Sequence, residues 1–329
     1  MASGLILAAV LFALRAKRKK LPFLRSMGGF AAGILLAFLF AKLVYIAFSP
    51  SLTADHPLGE WLFAPDKISF VAGCAGFCLG VALPFVRQRG RVSLALDAWA
   101  VPGCLMAAFA RFAEIFLYMA GLADLYTVGL PDIPDGSLLA RFPFAAPDSY
   151  GYWYFAVSTL AAFLILVVAL LAFLRERKVR GITADAGMTF CYAAFFLCCI
   201  RFLLELPRIE SLIFYFVHID QALSGLVMIF LALVICVRRR KQTGHFPVWP
   251  LIALLLCYAV NGLTQFLRDK PEKFEFLMPE GVYYWICDPA ILPLFTYSVF
   301  LLTALLLVIG YVVLDHRLRA RYRKEIDAS

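Results

Sequence analysis

Two pairs of opposite charges stand where this sequence is otherwise apolar. Arg111 and Glu114 lie three residues apart in one such stretch. Arg201 and Glu205 lie four apart in another, with Arg208 roughly one turn beyond. These spacings put both members of a pair on one face of a helix. His218, Asp220 and Gln221 then open a further apolar stretch. A charged side chain is costly in hydrocarbon, so it takes a partner or faces a polar cavity. Two readings follow. In one, the charges are local ion pairs that hold helices together. In the other, guanidiniums line a cavity open to the outer leaflet, oriented by the neighbouring acids. The planar guanidinium fork binds a phosphodiester through paired, charge-assisted hydrogen bonds, and a lipid phosphate arriving laterally fits that geometry. His218 by itself, near a span end, reads more readily as an interface residue than as a catalyst.

The elements that must position these groups follow from composition. Hydrophobic residues make up 63% of the 329 positions and charged residues 16%, against roughly a quarter charged in a soluble domain. Long uncharged runs mark bilayer spans, and helices satisfy their own backbone there. The runs do not alternate in polarity, which excludes a membrane barrel. The reading is an all-α, polytopic integral membrane protein of about nine transmembrane helices, at residues 3–15, 28–49, 68–86, 94–121, 152–174, 186–206, 214–237, 247–267 and 289–314. Basic clusters follow the first, third, fifth, seventh and ninth of these, at 15–25, 87–91, 175–180, 238–241 and 317–324. They fall on one side, which is the cytoplasm, so the N-terminus is outside and the C-terminus cytoplasmic. The net charge of +9 is therefore a topology signal. With no basic face carrying interleaved aromatics, nucleic acid is excluded as a partner. Eight of the nine cysteines lie in apolar runs and no CxxC pair occurs, so they read as small hydrophobes and no metal or cofactor is expected. The first apolar run has its charges after it rather than before it, unlike a cleaved leader. The chain divides into a seven-span domain, 1–241, and a two-span extension with a basic tail, 242–329.

Some span features are structural. Gly73, Gly76 and Gly80 give the third span a small-residue face for close helix packing. Pro102 and Pro84 bend or end helices. Lys42 either snorkels or faces a cavity. The outer connectors 50–66, 122–151 and 268–288 are the longer ones and carry acids and prolines, and 122–151 is long for a connector.

The order of motifs resembles the bacterial prolipoprotein diacylglyceryl transferase family over roughly residues 1–241. These enzymes move diacylglyceryl from phosphatidylglycerol to a lipobox cysteine. A short first span ends in a basic run, and GILLAFLFAKLVYIAF (33–48) looks like the family's second span. ISFVAGCAGFCLG (68–80) is similar to its SFHGG motif, and LALDAWAVPG, with Asp97 and Pro102, to its fourth span. ARFAEIF (110–116) falls where the family has GRxGNF, RFLLELPR (201–208) is similar to RFxxExxR, and IDQALS (219–224) resembles xGQxLS. The resemblance implies lipid-phosphate binding by Arg111, Arg201, Arg208 and Gln221. It implies catalytic roles for Arg111, Arg201, Glu205 and Glu114, with His218 or Glu114 as base and Ser224 on a family position. It also implies a bacterial plasma-membrane location, a phosphatidylglycerol or other anionic phospholipid substrate, a prolipoprotein signal peptide as partner, and no cofactor. The departures are specific. Val71 stands at the family's histidine, Glu114 at its asparagine, and Met119 where a glutamate is expected. The first span lacks the family's tyrosine, and the HPxQLYE region is not recognisable in SYGYWYFA (149–156). Two other readings stay open: a non-catalytic relative that binds lipid headgroups beside a membrane partner, and an anion transporter. Against the transporter, the sequence holds no inverted repeat or broken helix pair.

Overall fold

Apolar runs that must close their own backbone hydrogen bonds fold as helices, and helices dominate this computed structural model. It describes residues 2–49, 68–88, 90–119, 127–129, 141, 143–147, 153–178, 186–205, 212–214, 217–244, 246–288 and 291–327. The helices are α1 (Ala2–Arg18), α2 (Phe23–Ala47), α3 (Phe70–Ala82), α4 (Arg91–Met119), α5 (Val157–Lys178), α6 (Met188–Leu204), α7 (Ile219–Thr243), α8 (Trp249–Asp269), α9 (Glu280–Ile286) and α10 (Ile291–Asp327). Each of the nine apolar stretches carries one of them. Six helices are long and apolar enough to cross a bilayer: Phe23–Ala47, Arg91–Phe116, Val157–Lys178, Ile219–Lys241, Trp249–Asp269 and Leu294–His316. This marks a multi-pass membrane protein. Phe70–Phe85 and Met188–Leu204 are shorter apolar helices. Many large apolar side chains face outward, among them Leu35, Leu170, Phe230 and Leu306, as a helix in lipid requires.

Short strands occupy the connectors. Between α4 and α5, β1 (Thr127–Gly129), β2 (Ala145–Pro147) and β3 (Trp153–Ala156) pair antiparallel in the order β1-β3-β2. Between α6 and α7, β4 (Ile213–Phe214) pairs with β5 (Val217–His218). The fifth and seventh spans therefore begin as helices later than their hydropathy suggests, at Val157 and Ile219. The aromatic run Trp153, Tyr154 and Phe155 is as apolar as a helix turn, but it has strand propensity and pairs with β1 and β2.

The chain forms two compact units, Met1–Val227 and Met228–Ser329, so the division falls inside α7. In the first unit, α2 and α3 pack backbone to backbone. A Cβ on Gly76 would strike the Leu36 carbonyl, and one on Gly80 would strike Gly33. This is the close approach that the glycine spacing predicts. Beside it, Phe77 stacks on Trp99 with centroids 4.3 Å apart, and Phe12 and Phe30 meet the same indole edge-on. The cluster joins α1, α2, α3 and α4. Pro102 lies inside α4, which continues through it. Lys42 is buried, 3% exposed.

In the second unit, a buried ion pair links Arg239 to Asp315 at 2.6 Å, and the Thr303 hydroxyl donates to Asn261 at 2.9 Å. The connector from α8 to α10 has a small core of its own, where Phe274 packs with Leu267 and Leu292.

Candidate functional site

The ends of five helices supply the polar groups. Ser69 caps α3, its hydroxyl accepting the Ala72 N–H at 3.3 Å, and Phe70 follows as the first helical residue. Arg111 and Glu114 stand in the last turns of α4. Ser158 opens α5, Arg201 and Glu205 close α6, and Asp220 and Gln221 open α7. These ends lie opposite the basic runs.

Asp220 is the hub. One carboxylate oxygen accepts the Ser69 hydroxyl at 2.5 Å. The other accepts the Phe70 N–H at 3.2 Å and the Arg201 guanidinium at 2.7 Å. Arg201 also pairs with Glu205 at 2.7 Å, and Glu205 is wholly buried. Ser224 donates its hydroxyl to the Asp220 carbonyl at 2.7 Å, which steadies the first turn of α7. Arg111 bonds Glu114, and its guanidinium carbon sits 3.8 Å from the centre of the Phe70 ring. Arg201 approaches the same ring at 5.8 Å. One aromatic side chain thus gathers both arginines, using the ring's electron-rich face.

A narrow cleft opens on these groups. Arg111, Glu114, Ser158 and Arg201 form its polar end, and Val157, Ala161, Ile165, Leu197, Ile200 and Leu204 its apolar wall. Its free volume is about 30 Å³, room for only about two water molecules. A phosphate-bearing ligand therefore requires its walls to part. Among the described residues, two buried donors in it, the Arg201 Nε and the Ser158 hydroxyl, have no hydrogen-bond partner, and neither does the Gln221 amide nitrogen at the start of α7. Buried donors without partners cost about 1–3 kcal/mol each, and in a cleft they are the groups an anionic oxygen would satisfy.

Of the residues expected at the site, Arg111, Glu114 and Arg201 share the cleft. Glu205 backs Arg201 from behind. His218 is buried on β5 and is not among the cleft-lining residues. Gln221 is buried beside Asp220 in sequence. Arg208 lies outside the described residues, as does most of connector 122–151. Asp97 has a structural part at the other end of the unit. It accepts the N–H groups of Gly187 and Phe190 at 2.6 and 2.9 Å and so caps α6. Gly187 needs its glycine there, at φ 87°. Nearby, Glu176 pairs with Arg15 and Lys19, and Arg175 donates to Thr189 at 2.7 Å. Sequence reasoning grouped Asp220 with the polar residues that open the seventh span but gave it no role, and it did not assign Ser69, Phe70 or Ser158 to the site. The signal available was an uncompensated Asp220 in an apolar run. No known protein family, characterised protein or solved structure matches the chain.

Proposed function

We propose that the cleft binds the phosphate of an anionic phospholipid and that the chain transfers diacylglyceryl from phosphatidylglycerol to an acceptor thiol, most simply a lipobox cysteine of a prolipoprotein. One observation carries the reading. Arg111, Arg201 and the Ser158 hydroxyl meet at one end of a cleft whose remaining wall is aliphatic, and the Arg201 Nε and the Ser158 hydroxyl have no hydrogen-bond partner among the described residues. A phosphate with an acyl chain has that polarity pattern, and a small hydrophilic solute does not. In this reading nine helices span the membrane with the N-terminus outside, and the cleft faces the outer leaflet of a bacterial plasma membrane. Arg111 and Arg201 hold the phosphate and stabilise the charge that builds on the leaving group. The acceptor sulfur attacks the glycerol carbon. A carbon–sulfur bond forms, the carbon–oxygen bond to phosphate breaks, and glycerol phosphate departs with the electron pair. Glu114, the acid that lines the cleft, takes the thiol proton. Glu205 and Asp220 orient Arg201.

A second reading rests on Val71. It is 7% exposed and carries no titratable group at the position of the family's histidine. That favours a lipid-headgroup-binding relative that works with a membrane partner.

The test is transfer of labelled diacylglyceryl from phosphatidylglycerol to a lipobox peptide by the purified protein. Transfer that is lost in Arg201→Ala and in the charge-keeping Arg111→Lys, with thermal unfolding of the Arg111→Lys protein unchanged, supports the enzyme. Phosphatidylglycerol binding without transfer selects the binding relative. Absence of both rejects the cleft as a lipid site.

A further inference from the structure

At the other end of the first unit, a second pair of arginines borders a separate and wider hollow. It lies between the first turn of α2 and the segment that follows α3. Arg25, Leu83, Pro84, Val86, Arg87 and Gln88 line it, around about 430 Å³ of free space. We propose that this hollow is a binding site for the headgroup of an anionic phospholipid in the leaflet on the basic side of the protein.

Charge is the first argument. Arg15, Arg111, Arg175, Arg201, Arg239 and Arg268 each meet a carboxylate, a hydroxyl or a ring. Arg25 and Arg87 meet none among the described residues, although they face one space. Two guanidiniums held near each other with no counter-charge of the protein's own are an anion site, and the planar fork suits phosphate oxygens. Gln88 accepts from Arg91 at 2.9 Å, which leaves its amide nitrogen as a donor.

Apolar exposure is the second. Leu83 and Val86 in the lining are 62% and 65% exposed. Phe23 and Leu24, just before Arg25, are 62% and 84% exposed. A free phosphate or a nucleic acid has no use for these side chains, whereas an acyl chain beneath a headgroup covers them.

Shape is the third. A Cβ on Gly29 would lie 3.1 Å from the Val81 carbonyl and 3.3 Å from the Pro84 ring. The α2 backbone therefore rests directly on the turn Leu83–Phe85, and Phe85 beneath it is fully buried. The two arginines stand on a packed floor.

The experiment is native mass spectrometry of the full chain in detergent, titrated with phosphatidylglycerol, phosphatidylcholine or inorganic phosphate. The expected result is that R25Q/R87Q binds one phosphatidylglycerol fewer, that site weakening roughly 30-fold at about one surface-arginine contribution per residue. R25K/R87K should retain part of the binding. R238Q/R240Q, which removes the same charge from another basic run, should change it less than about threefold. Thermal unfolding of each variant identifies any that misfold. Equal loss in R238Q/R240Q, or equal binding of phosphatidylcholine, overturns the site in favour of diffuse attraction or nonspecific lipid. Inorganic phosphate that binds as tightly and displaces the lipid overturns the lipid assignment and leaves a free-phosphate site. The count is independent of the cleft, whose arginines these variants leave intact.

Discussion

The two arginine pairs of the first unit face opposite constraints. Arg111 and Arg201 stand within a span-lined cleft, and each brings its own carboxylates: Glu114 for one, Glu205 and Asp220 for the other. Arg25 and Arg87 stand at helix ends in an open hollow and bring none among the described residues. The difference is one of desolvation. A guanidinium inside the bilayer cannot wait for a ligand unpaired, so a phosphate entering the cleft must share or displace existing partners. At a helix end, water solvates the charge until a headgroup arrives. If both bind phosphate as proposed, the cleft favours selectivity at the cost of access, and the hollow favours access.

Breaking the cleft should cost folding energy, whereas breaking the hollow should not. Asp220→Ala removes one of the two carboxylates on Arg201, and with it the acceptor of the Ser69 hydroxyl and the Phe70 N–H. It should destabilise the protein by about 3 kcal/mol or more, read as a fall in unfolding temperature in detergent. An unchanged temperature would mean that the cleft's charges are not fixed in place. Gly80→Ala presses a methyl group into Gly33 between α2 and α3, at a cost of about 1–3 kcal/mol. It should loosen lipid binding in the adjoining hollow while transfer at the cleft survives, which separates the two sites mechanically. Raising salt from roughly 0.15 to 1 M shortens the screening length from about 8 to 3 Å. Titration with short-chain phosphatidylglycerol should then show several-fold weaker binding at the hollow and little change at the cleft. The smallest effect is the sharpest contrast. Arg25→Ala with Arg87→Ala should alter stability by no more than about 0.5 kcal/mol, since neither guanidinium has a protein partner to lose among the described residues. A large loss in the same unfolding assay would erase the distinction.

The sequence was most legible where geometry is local. Arg111 with Glu114 and Arg201 with Glu205 are spaced at three and four residues, and a helix alone brings them together. Gly76 and Gly80 announced a close helix contact for the same reason, although not that α2 would make it. The hub was not legible. Asp220 meets Ser69 across 151 residues of chain, and no periodicity encodes a partner that far away. Phe70 looked like one more apolar residue, because its use is set by which two guanidiniums the fold lays on its ring. Hydropathy also set the starts of the fifth and seventh helices too early. It measures transfer to lipid and cannot tell a helical turn from the short strands Trp153–Ala156 and Val217–His218.

The Asp220 hub also dictates an order of manufacture. Its contacts reach back to the cap of α3 and the end of α6, but it belongs to α7, which leaves the ribosome after both. Until residue 220 is inserted, the start of α3 lacks its anchor, and Arg201 has Glu205 but not its second carboxylate. A chain arrested just before α7 would hold the aromatic cluster of α1–α4 and still be unfinished at its polar centre. The polar centre of the first unit is complete only once the start of the seventh helix is in place.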